Sequence, residues 1–84
     1  MTDFHQVEDI NKKYNIAFGA HLHDLMARHG RDVVTVASIG NIEQKQVYRV
    51  LKGEHAASLR TIIALAKGVG VKPKDLFDFD FDLE

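Results

Sequence analysis

The sequence predicts an all-α fold of five helices, and three observations carry that expectation. Through the middle of the 84-residue chain, apolar residues recur at three- and four-residue steps and nowhere alternate strictly, which is the period of helices and not of strands. Helix-starting residues (Asp32, Ser58, Pro73) and helix-stopping residues (Gly30, Gly40-Asn41, Gly53) divide the chain into helix-length segments. The composition, 45% hydrophobic and 27% charged, is that of an ordinary globular chain long enough for one small core.

Taken in order, the first helix is expected from about Asn11 to His29, with Phe18, Leu22, Leu25 and Met26 on one face and Gly30 as its stop. Asp32 is a good N-cap for a short second helix, Val33 to Ile39, that turns Val36 and Ala37 inward. Gly40-Asn41 breaks it, since both residue types tolerate the left-handed backbone of a tight turn. The third helix is read from Gln44 to Lys52, closed by Gly53. Ser58 caps a fourth, expected to bury Leu59, Ile62, Ile63, Leu65 and Ala66. Pro73 suits the first turn of a short fifth helix, PKDLF.

Charge is unevenly placed. The formal net charge is −1, yet residues 11–74 hold all 11 Lys and Arg against four acids, a balance of +7. Residues 1–10 carry −3 and residues 75–84 carry −5. A basic centre between acidic ends permits an anionic partner that the bulk value hides. The chain has no cysteine, which excludes disulfides and thiolate metal sites, and no apolar run approaches the ~18 residues of a membrane span. The N-terminal MTDFHQVEDINKK is acidic and then polar, which is not the pattern of a secretory signal.

Two helices joined by a turn of about four residues, the second with a basic face, follow the helix-turn-helix plan. At 100° per residue, Val47, Val50 and Leu51 share one side of the third helix, while Lys45, Arg49 and Lys52 lie nearly opposite, with Gln44 and Tyr48 at the edge. A merely solvated face would also be charged. This stripe, however, holds three cations and no anion, beside amides that can pair with base edges.

The runs FGAHLHDLMARHG, DVVTVASIGNIEQKQVYRVLKGE and SLRTIIALAKGVGVKPKDLF resemble the XRE family, the Cro/C1-type (lambda repressor-like) regulators, from about Phe18 to Phe77. The resemblance implies a five-helix DNA-binding domain, usually a homodimer on a palindromic double-stranded operator, with the third helix in the major groove. It places base reading on Gln44, Lys45 and Arg49, and backbone contact on Val33, Glu43, Tyr48 and Lys52. It also implies a cytoplasmic repressor, bacterial or phage-encoded, and no cofactor is expected. The expected organisation is an extension over 1–13, the helix-turn-helix domain over 14–77, and an acidic-aromatic tail over 78–84.

Several positions depart from the family's pattern. A glutamine that usually touches phosphate at the start of the second helix is Val33, leaving only backbone amides there. The Ser or Thr that usually opens the third helix is Glu43, whose carboxylate suits the helix dipole but repels phosphate unless it accepts from a cytosine amino group. Glu54 stands where a basic residue is common. An Arg–Glu pair found in many members is Met26 and Leu51 here. Losing both charges together leaves no buried charge stranded, so the core is expected to be intact.

Other features read as structure. His21, His23 and His29 crowd one helix without a fourth ligand, so no metal is expected, and no nucleophile–base pair or phosphate-cradling loop suggests an enzyme. Gly68 and Gly70 read as capping residues. In the tail, Phe77, Phe79, Phe81 and Leu83 alternate with acids; Phe77 is expected to close the core, and the others to fray or to meet a second subunit. Phe4, Val7, Ile10 and Tyr14 could serve the same end from the N-terminus. The rival function is a protein-interaction module of this fold, antitoxin-like or an adaptor, that has lost DNA binding and uses its acidic ends on a protein partner.

Overall fold

The computed structural model describes the backbone of residues 3–54 and 56–82, with side chains from residue 10 onward. Within them run α1 (Asp3–Arg28), α2 (Val33–Gly40), α3 (Gln44–Leu51) and α4 (Leu59–Val69), followed by a 3-10 turn over Pro73–Phe77. The class is the all-α one expected, with one difference: the fifth element is a single 3-10 turn. Pro73 starts it, and the Lys72 amide donates to Asp75 Oδ2 at 3.0 Å, a local closure that does not propagate into an α-helix.

The caps act where their side chains allow. The Thr35 amide donates to Asp32 Oδ1 at 2.8 Å and the Thr61 amide to Ser58 Oγ at 3.2 Å, each satisfying a donor that the first turn leaves without a helical acceptor. α1 begins at Asp3 and not near Asn11, because no glycine or proline interrupts the intervening residues. At the end of α2 the left-handed residue is Asn41, with φ 59°, while Gly40 stays helical. Glycine is needed there for contact, since a Cβ on Gly40 would stand 2.5 Å from the Ala64 carbonyl oxygen. Likewise Gly70 caps α4, whereas Gly68 lies inside that helix and is buried.

One core gathers all the elements. Phe18, Leu22, Leu25 and Met26 of α1, Val36 and Ala37 of α2, and Val47 and Val50 of α3 are buried as their spacing predicts. Met26 and the half-buried Leu51, the apolar replacements of the family's ion pair, both join it. In α4 the expectation is half right. Leu65 and Ala66 are buried and Ile62 is partly buried, but Leu59 is 72% and Ile63 52% exposed. α2 crosses α4 at Ala64 and Gly68, so the small residues on that side turn inward and the two large ones turn out. Size alone misleads where two backbones must come close.

The C-terminal segment is also corrected. Leu76, 1% exposed, closes the core, and Phe77 is 43% exposed against Phe18 at 5.2 Å between ring centres. Phe79 packs on Tyr14 at 5.2 Å and His21 at 5.1 Å, and Phe81 meets Tyr14 edge-on at 4.7 Å. The tail therefore folds back on its own α1, with no strand among the described residues. The side chains of Phe4 and Val7, and residues His55, Leu83 and Glu84, lie outside the described set.

Leu65→Ala should lower unfolding free energy by ~2–5 kcal/mol, whereas Leu59→Ala should stay within about 0.5 kcal/mol of the parent when both are compared at concentrations that keep the chain monomeric. Denaturant titration of both variants checks the two-sided assignment of α4.

Candidate nucleic-acid interface

α3 presents its polar side outward. Gln44, Lys45, Tyr48 and Lys52 are exposed and Arg49 is half-buried, while Val47 and Val50 anchor the opposite side. Lys45, Arg49 and Lys52 form no salt bridge among the described residues. Arg28 and Asp24, by contrast, pair at 2.8 Å one turn apart on α1. The three cations of α3 are thus left to face solvent or a partner.

Glu43 occupies the N-cap position of α3 with extended backbone, φ −76° and ψ 146°, yet makes no side-chain cap bond. Its exposed carboxylate stays at the mouth of the polar face. Val33, at the head of α2, is half-buried against the core and offers only its amide to the outside. The turn before α2 is fastened to the far end of α4 by Arg31, whose Nη1 donates to the Gly68 carbonyl at 2.8 Å.

Chain folding adds residues that sequence spacing did not single out. Lys45, Gln46 and Arg49 of α3 share one open groove with Ser58 and Arg60 at the start of α4. Arg60 adds a fourth cation to the face, and Gln46 adds an amide. Only the position of α4 beside α3 brings Arg60 in; its neighbour Ser58 signalled a helix start and nothing more. A second groove at the other end of α3 joins Lys52 to Lys12, Asn11 and Asn15 of α1.

The histidines are dispersed. The His21 ring contacts the Asp75 carbonyl through Nε2 at 2.8 Å and stacks on Phe79, and His23 and His29 are exposed. Among the described residues no group of three or more His, Cys, Asp or Glu could hold a metal, and no helix is long and apolar enough to cross a membrane.

α3 thus turns a cationic, polar side outward while its apolar side packs on the rest of the domain. The model of the Cro/C1-type HTH DNA-binding domain family matches residues 21–82. The chain belongs to this family. Its coarse function follows: it is a DNA-binding helix-turn-helix protein of the transcriptional-regulator class. Among solved structures it is similar to the restriction-modification controller protein C.AhdI from Aeromonas hydrophila, at 28% identity and a TM-score of 0.73, over 77% of this chain and 98% of that one. No curated protein matches the sequence.

The carboxyl of Asp32 is held below the usual aspartate range by its bonds to Thr35, first through the hydroxyl and then through the amide. The sign follows: the cap's contribution is complete at neutral pH and is lost as pH falls through that lowered value. An NMR titration should find Asp32 and the Thr35 amide sharing one depressed midpoint. In Asp32→Asn the Thr35 step should vanish.

Proposed function

We propose that this chain is an operator-binding regulator that acts as a homodimer on a palindromic duplex, repressing by occupying a promoter. The observation that carries the proposal is the outward stripe of Lys45, the half-buried Arg49 and Lys52, in no salt bridge among the described residues and widened by Arg60. With α3 in the major groove, Gln44 and Lys45 sit at its leading end and Arg49 one turn later. A guanidinium bidentate to guanine is the commonest specific contact, so Arg49 carries the largest share of base discrimination. Lys52, Arg60, Tyr48 and the open amides of α2 at Val33 hold phosphates, which position the protein without reading sequence. Glu43, an exposed acceptor that makes no side-chain cap bond, suits a cytosine amino group better than a phosphate.

The homodimer draws on the outward side of α4. Leu59 and Ile63, one turn apart and both more than half exposed, form with Ile62 an apolar strip unlike the rest of that surface. A second copy of the strip is its self-complementary partner, and a two-fold pair sets two α3 helices ~34 Å apart on one face of the duplex. The similarity to a restriction-modification controller supports assigning this chain a controller's role of the same kind.

The deciding experiment selects bound duplexes from a random pool near physiological salt. A palindromic motif is the expected result. Weak binding without enrichment would instead favour a protein-interaction module. On the selected motif, Arg49→Ala should cost ~1–3 kcal/mol and relax one base position, whereas Lys52→Ala should weaken all sequences alike. The double variant Leu59→Glu, Ile63→Glu should sediment as a monomer and lose most operator affinity while keeping its helical circular dichroism.

A further inference from the structure

We propose that the part of α1 preceding the family-matched segment is a second wall of the interface, on which Lys12 holds the phosphate backbone of DNA flanking each half-site. The inference rests on the DNA-reading function above and extends it to residues outside the family's domain. The family match opens at residue 21, whereas α1 opens at Asp3, so most of this helix is an addition to the shared domain.

The addition is positioned, and its position is beside the turn that leaves α3. Gly53, with φ +70°, follows α3 so closely on α1 that a Cβ there would stand 2.7 Å from the Ile16 Cα. That approach holds the helix of Lys12 against the turn that leaves α3. An open groove results, lined by Asn11, Lys12 and Asn15 on one side and Lys52, Gly53 and Glu54 on the other. Lys12, Asn11 and Lys52 are exposed. The groove is continuous with the end of α3, where Lys52 would reach the backbone as the helix emerges from the major groove. A strand passing Lys52 therefore meets Lys12 next.

The chemistry fits a phosphodiester. Two ammonium groups and two side-chain amides offer donors, and Glu54 is the single carboxylate among the lining residues. An acidic protein segment would present the same charge, but it has no reason to lie in line with α3; the flanking duplex does. Lys13, the adjacent residue, is exposed but does not line the groove, and so serves as an internal control.

The test uses the full chain and the duplex selected from the random pool. Affinity is measured across a salt series for the parent, Lys12→Ala and Lys13→Ala, on duplexes with long flanks and on duplexes trimmed by about five base pairs, half a helical turn, at each end. On long flanks Lys12→Ala should weaken binding several-fold and reduce the salt slope by about 0.9 per protomer, the signature of one lost phosphate contact. Trimming should erase its difference from the parent, and Lys13→Ala should behave as the parent on both. Alanine favours helix, so circular dichroism melting should stay unchanged. Equal effects of the two variants, no effect of either, or a Lys12 effect that survives trimming would overturn the proposal while leaving operator binding intact. Failure of the parent chain to select any motif would overturn the DNA-reading function itself, and this inference with it.

Discussion

The close crossing of α2 over α4 is the constraint on which the rest of the molecule depends. A Cβ on Gly68 would stand 2.4 Å from the Val36 carbonyl oxygen, and one on Gly40 would stand 2.5 Å from that of Ala64. Contact this tight fixes the direction of α2, and the turn at Asn41 then fixes α3 relative to it. Packing at protein-interior density admits few alternatives once two backbones touch. The polar face of α3 is therefore aimed by backbone contacts between α2 and α4.

The same crossing explains the surface of α4. Because its small residues are spent on the approach of α2, its large ones, Leu59 and Ile63, are turned to solvent. The exposed apolar strip and the internal helix crossing are thus two sides of one helix, the one showing what the other leaves over.

Electrostatics follow a similar division. The net charge of −1 says little about the outer face of α3 and its surroundings, where Lys45, Arg49, Lys52 and Arg60 outnumber Glu43 and Glu54. Acidic residues of the tail sit beyond Leu76, on a segment whose aromatic rings return to α1 through Tyr14, Phe18 and His21. Ring packing keeps these acids on a defined path along the same chain. Asp78 and Asp80 remain exposed there, so their desolvation cost is small.

By itself the sequence determined the elements and most of the core: Asp32 and Ser58 start helices through local bonds to residues three positions on, and Leu22, Val36, Val47 and Leu65 follow a helical period. It also determined the cation stripe of α3, because i, i+4 and i+3 neighbours share a face in any helix. These are short-range matters, settled within a few residues. Tertiary structure alone decided which side of α4 is inward, that Leu76 and not Phe77 seals the core, and that Arg60 and Lys12 stand beside α3. Those outcomes depend on contacts between residues far apart in the chain, where a small side chain can outrank a large one because it lets two backbones meet.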